Sequence, residues 1–327
     1  MNANFSAKQF VYAVLTVPLL LVIITSLLSY FAKHLYENSE YPIWEFNKKF
    51  TQHNTKLNVN VLAIGDSRFK AAFIPRDSNS LNLSLGGSSP IEGYYTLREY
   101  LKFNQAPKQL LLSYAPYHLM EVDTFWKRTI KFKYLSYTDE EEVLSNAVRL
   151  KDSLASSKQS RWAFHLTPQP HIAAIKNGLV GKRWQNYQSK LNELTLSYGH
   201  SYFGQGAPTK GNQDSKLAEF KVSPLIDYYL SEIFALASEN DISIYWYTAP
   251  YSQLSYDLSH VEFNQGYAQY IYSLEANMNV ISEVYAMDND MFGDSSHLYK
   301  GAADVTAYIY QHISVSSTKV VLGSDLN

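Results

Sequence analysis

The chain has 327 residues, 46% of them hydrophobic and 15% aromatic, with no cysteine and a formal net charge of -2. The missing cysteine excludes disulfide scaffolds, thiolate zinc sites and cysteine nucleophiles, so any nucleophile is an oxygen or a nitrogen. A near-neutral charge balance gives no electrostatic footprint for nucleic acid, which is set aside as a partner.

Phe10 to Phe31 carries no charged residue, and about 20 apolar residues are enough to cross a bilayer as a helix. The run predicts a single transmembrane anchor within residues 1–32. Lys8 precedes it and Lys33 with His34 follows it, so the flanking charges alone leave orientation open. A short segment ahead of a first helix usually stays inside, which predicts a cytoplasmic N-terminus. A cleaved signal peptide is the alternative, but the run is longer than a usual h-region and no clear small-residue cleavage site follows.

Residues 33–57, with Tyr41, Pro42, Trp44 and Phe46, read as a juxtamembrane connector that packs on the membrane-facing side. A folded domain is expected over 58–315, with a tail at 316–327. Five short apolar runs predict strands: Val59 to Gly65, Leu81 to Leu85, Gln109 to Pro116, Ile242 to Pro250 and Asn279 to Met287. Helical patterns fall at Pro90 to Phe103, Pro224 to Ser238, Glu262 to Ala276 and Ala302 to His312. This alternation predicts an α/β domain, a three-layer sandwich whose central, mainly parallel, five-stranded sheet has helices on both faces. The rhythm breaks between the third and fourth strands, which predicts an insertion over about 119–223 that acts as a lid, a glycan platform or a docking surface. Helices are expected within it at Glu140 to Ser153 and Gln213 to Phe220.

Gly65-Asp66-Ser67 closes the first strand, so Ser67 is expected at the carboxyl edge of a parallel sheet, where sites of open α/β folds sit. A neutral serine is a weak nucleophile until a base takes its proton and a third group holds that base in the right tautomer. Asp294-Ser295-Ser296-His297, just ahead of the last predicted helix, supplies both: His297 as base and Asp294 as its orienter. A glycine pair, Gly86-Gly87, follows the second strand.

Gly65-Asp66-Ser67, then Asn82 to Ser88 with Gly87, then Asp294-x-x-His297 resemble blocks one, two and five of the SGNH (GDSL-like) hydrolases, over Val59 to His312. The resemblance implies the flavodoxin-like SGNH fold and an oxyanion hole built from the Ser67 backbone N–H, the Gly87 N–H and a third donor. Where free hydrolases of the family carry a Gly-x-Asn-Asp block, this chain reads Ser113-Tyr-Ala-Pro-Tyr117-His118. Tyr117 or His118 donates instead, or the hole works with two donors; both residues packing under the insertion is the other reading. Similar departures occur in membrane-tethered SGNH proteins that O-acylate envelope polymers, including alginate acetylation proteins and the D-alanyl lipoteichoic acid transfer protein. The resemblance therefore implies a serine acyltransferase or esterase, acting on O-acyl, by default O-acetyl, groups of an envelope or exported glycan. It also implies a membrane-bound O-acyltransferase partner and no cofactor. A non-catalytic scaffold keeping the same fold is the alternative of a different class.

Other features have plainer readings. Arg68 either steers an anionic substrate or caps the following helix, and Arg76 is a surface residue. Tyrosines clustered at 94–95, 245–247 and 267–272 are expected in packing rather than in sugar stacking. His165, His171 and His200 match no metal-ligand spacing and are expected on the surface. Asp288 and Asp290 lack the pattern of a calcium loop and are expected in a solvated loop. Gly86 to Ser89 at a helix start could cradle phosphate, but no P-loop lysine accompanies it.

Overall fold

The structure, a computed structural model, describes residues 6–31, 40–53, 58–122, 124–156 and 183–322. Helix α1 (Ala7–Phe31) is the apolar segment read from the sequence. Its 18-residue window Ala7–Ile24 has a mean hydropathy of 2.0 and none of it is buried among the described residues, so the helix is long and apolar enough to cross a membrane.

The central sheet is built from β1 (Val61–Gly65), β2 (Ser80–Asn82), β3 (Gln109–Ser113), β4 (Ser243–Tyr247) and β6 (Asn279–Ser282), in the order β2-β1-β3-β4-β6. Every pairing is parallel. β1 is buried along its whole length, as expected of a parallel strand covered on both faces. Side chains alternate across the sheet. Leu62, Ile64, Leu110, Leu112, Ile244 and Trp246 point into one core, and Val61, Ala63, Leu111, Tyr245 and Tyr247 into the other. The first core is closed by α4 (Pro90–Phe103), α8 (Pro224–Glu239) and α10 (Val261–Ser273). The second is closed by α3 (Ser67–Ala72) and α11 (Ala302–Leu322).

Several elements depart from the sequence reading. Tyr41 to Gln52, inside the expected connector, forms helix α2 (Tyr41–Gln52). Its Ile43, Trp44 and Phe46 are almost fully buried in the first core, and Asn47 bonds the Leu83 carbonyl. The folded domain thus begins near Tyr41 rather than at 58, because three large apolar groups on one helix face need a core to cover them.

The third strand stops at Ser113, since Pro116 opens a short helix, α5 (Pro116–Met120). The expected fifth strand divides at Ser282. Its second half, β7 (Ala286–Met287), pairs instead with β5 (Tyr251–Ser252), after which comes α9 (Gln253–Asp257).

Within the insertion, the expected helix at 140–153 is α6 (Tyr137–Arg149), started by a Ser136–Asp139 capping box. The helix expected at Gln213 to Phe220 is only a 3-10 turn, Asp214–Lys216. Tertiary partners override the local pattern there: Asp214 is drawn to Arg68 and to the Tyr117 N–H, and Phe220 is drawn among Phe263, Tyr267 and Tyr270. A π-helical turn (Phe125–Ile130) and α7 (Arg183–Leu196) have no counterpart in the sequence reading. The expected tail at 316–327 is helical as far as Leu322, within α11.

Candidate active site

Ser67 is the first residue of α3, directly after β1. Asp66 caps this helix: its Oδ1 accepts the N–H groups of Arg68 (2.9 Å) and Phe69 (3.4 Å), and its Oδ2 accepts the N–H of Ala115 (2.8 Å). This fully buried carboxylate thereby ties the helix that begins at Ser67 to the chain leaving β3. Gly65 has no substitute in this turn, because a Cβ there would overlap the Ser113 carbonyl. The site lies where the strand order reverses, at the carboxyl ends of β1 and β3.

His297 comes to Ser67 from the other end of the chain. Its Nε2 is 2.8 Å from Ser67 Oγ, and its Nδ1 is 2.8 Å and 3.0 Å from Asp294 Oδ2 and Oδ1. Asp294 Oδ1 also accepts the N–H groups of Ser296 and His297, each at 2.8 Å. Burial alone would raise the Asp294 pKa. The hydrogen bond and charge of His297, with the two N–H donors, outweigh it and hold the carboxyl at about 2. An ionised Asp294 favours the imidazole proton on Nδ1, which turns Nε2 as acceptor towards Ser67.

The insertion completes this arrangement. Phe203 stacks on the His297 ring at 4.6 Å and 28°. Next to it, Gly204 and Gly293 meet backbone to backbone so closely that a Cβ on either would strike the other's carbonyl oxygen, and Gly206 N–H donates to the Gly293 carbonyl at 2.9 Å. The segment 199–206 is thus a strap laid over the loop that carries His297. Sequence reasoning missed Phe203; the pairing of two distant glycines is visible only once the chain is folded.

Gly87 has φ +67, a conformation that favours glycine. Its turn is held to the end of β1, since Leu85 N–H and Ser88 Oγ both donate to the Gly65 carbonyl at 2.8 Å. Gly87 is therefore beside the strand end from which Ser67 projects. The Ser67 N–H, at the first helical position, has no intrahelical acceptor. The start of α4 is occupied by its own cap, as Glu92 Oε2 accepts the N–H and hydroxyl of Ser89, both at 2.8 Å. That carboxylate already takes donors that a phosphate at this helix start would use.

The remaining candidates are placed as follows. Tyr117 gives its backbone N–H to Asp214 Oδ1 (2.9 Å), and His118 Nε2 is 3.8 Å from Asp66 Oδ2. Arg68 is buried; it pairs with Asp214 at 2.5 Å beneath the Tyr251 ring, so its charge serves this internal contact rather than a surface that steers substrate. Arg76 is exposed and stacks on Tyr310, and Asp288 and Asp290 are exposed as expected. Tyr95, Tyr245, Tyr247 and Tyr267 are buried in packing.

His165 and His171 lie outside the described residues. His200 corrects the surface expectation: it is 6% exposed, its Nε2 is 3.1 Å from the Ala71 carbonyl, and its ring meets Tyr202 edge-on. Among the described residues, no cluster of three His, Asp or Glu side chains could hold a metal ion. No known protein family matches the chain, and no curated protein matches it either.

Proposed function

We propose that this chain is a membrane-anchored serine acyltransferase or esterase with an SGNH-type fold. One observation carries the reading: the relay Ser67 Oγ, His297 Nε2, His297 Nδ1, Asp294 carboxylate, with every link at 2.8 Å. The doubly wound strand order and the glycine turn at Gly87 support the SGNH assignment.

In the first half-reaction, Ser67 Oγ attacks the acyl carbon while His297 Nε2 takes the serine proton. The carbonyl π electrons move onto oxygen, which the N–H groups of Ser67 and Gly87 receive. Collapse expels the donor's oxygen, which leaves with the proton from His297, and Ser67 keeps the acyl group as an ester. In the second half-reaction an acceptor hydroxyl gives its proton to His297 and attacks that ester, and the proton returns to Ser67. Asp294 stays ionised throughout and stabilises the imidazolium.

The acceptor in this proposal is a hydroxyl of an envelope or exported glycan, and the acyl group is acetyl. α1 holds the domain at the outer face of the cytoplasmic membrane, where no acyl-CoA is expected, so a membrane-bound O-acyltransferase supplies the acyl group. Water in place of the glycan hydroxyl makes the same centre an esterase. The exposed edge of Asp294, whose side chain is 40% accessible, gives solvent a path to this centre.

Intact-mass analysis after treatment with an activated acetyl ester tests the reading. One acetyl-sized adduct is expected on the wild-type protein and none on Ser67→Ala. An adduct that survives in the variant, or none in either protein, overturns it. Rapid turnover without added glycan selects the esterase over the transferase.

A further inference from the structure

Gly87 is gripped by two side chains that take no part in the relay. Its carbonyl accepts a hydrogen bond from the Thr124 hydroxyl. A Cβ at Gly87 would lie 2.6 Å from Arg128 Nη1 and 3.2 Å from Thr124 Cγ2, so both groups rest directly on the glycine. They stand four residues apart, Thr124 capping and Arg128 within the π-helical turn Phe125–Ile130. Single π-helical turns recur at functional sites. This one is anchored from behind, where the Thr129 hydroxyl donates to Glu92 Oε1 at 2.5 Å, on the same carboxylate that caps α4.

The opposite edge of the Arg128 guanidinium is also held. Nε and Nη2 fork onto Glu40 Oε2 and Oε1 at 2.5 and 2.9 Å, the bidentate geometry that restricts an arginine most. Glu40 directly precedes α2, and its Oε2 is 3.3 Å from where a Cβ of Gly86 would be. The peptide that carries the Gly87 N–H joins Gly86 to Gly87. It is therefore pressed by the Glu40 carboxylate at one end and by Arg128 and Thr124 at the other. None of these contacts is needed to cover a core, since the Arg128 and Glu40 side chains remain 26% and 27% exposed.

We propose that Arg128, locked by Glu40, is a positioning residue that aims the Gly87 N–H at the acyl oxyanion, and that Thr124 acts with it. The inference rests on the acyl-transfer reading above. It makes the oxyanion hole depend on the start of α2, which Glu40 directly precedes.

The test uses the full chain in detergent micelles, comparing wild type with Arg128→Gln, Arg128→Lys, Thr124→Val and Glu40→Gln. Two rates are measured: turnover of p-nitrophenyl acetate, and labelling of Ser67 by a fluorophosphonate, whose adduct fills the oxyanion position. Losing an oxyanion donor outright costs about 10²–10³ in rate, so mispositioning one is expected to lower kcat about tenfold with KM little changed. Arg128→Lys keeps the charge but loses the fork, and is expected to fall with Arg128→Gln. Thr124→Val is nearly isosteric and gives an answer even if the arginine variants do not fold.

Unchanged kcat and labelling in Arg128→Gln and Thr124→Val overturn the inference and leave the acyl-transfer reading standing. A raised KM with kcat intact overturns it as well, because that result means ground-state binding. Failure of the wild type itself to label at Ser67 removes the acyl-transfer reading, and this inference with it.

Discussion

Ser67 and His297 are 230 positions apart in the chain, and their contact depends on how each is held locally. The N-cap at Asp66 sets the first residue of α3, and the turn from Asp294 to His297 closes on its own carboxylate. Asp294→Asn keeps the shape of that turn but removes the charge that selects the His297 tautomer. Turnover is expected to fall by about 10³–10⁴ with folding retained, measured as kcat/KM beside a thermal melt. The Asp294 carboxyl is held at about 2, below its ordinary value of 3.8. The folded state therefore binds fewer protons than the unfolded chain between those values. The stability it contributes is present above about pH 4 and is lost as pH falls towards 2. In urea titrations, the stability gap between wild type and Asp294→Asn is expected to close over that interval and to stay constant above it.

At the scale of elements, the strap at 199–206 joins the insertion to the site. Asn82 N–H donates to the Tyr198 carbonyl at 2.9 Å, and Ser201 N–H donates to the Lys70 carbonyl at 3.4 Å, so the strap crosses the β2 edge and α3 before reaching His297. His200, within the strap, is turned inward onto the Ala71 carbonyl and buried. Burial lowers its pKa, the Ala71 carbonyl opposes this, and the nearby Lys70 adds to it, leaving the group at about 4 against 6.5 when exposed. Between those values the unfolded chain binds the extra proton, so stability falls as pH drops from about 6.5 to 4. His200→Asn is expected to flatten that slope, read from denaturation midpoints across the interval. An equal slope in both proteins would place His200 in water.

At the scale of the whole molecule, α2 decides where the folded unit begins. Trp44, Phe46 and Ile43 fill the first core beside α4, and fully burying each such side chain contributes about 1.5–3 kcal/mol. A truncation that starts at residue 36 and so removes α1 is expected to give a folded, monodisperse domain. One that starts at residue 58 is expected to aggregate, because it uncovers that face. Size-exclusion chromatography of the two decides between a core helix and a dispensable connector.

The sequence by itself determined the five strands of the central sheet, most of the helices on its two faces, the apolar N-terminal helix and the three residues of the relay. Those signals are local: apolar runs bounded by glycine and proline, a GDS turn at a strand end, and an aspartate three residues ahead of a histidine. Only the tertiary structure decided the rest. Arg68 read as either a substrate-steering charge or a helix cap, but Asp214 lies far along the chain in a segment whose own pattern suggested a helix, and their pairing buries both. The same holds for Phe203 on His297, for Gly204 against Gly293, and for Arg128 between Glu40 and Gly87. Each of these is a contact between distant segments whose geometry no periodicity records, and each depends on packing that exists only when the sheet and both its faces are assembled.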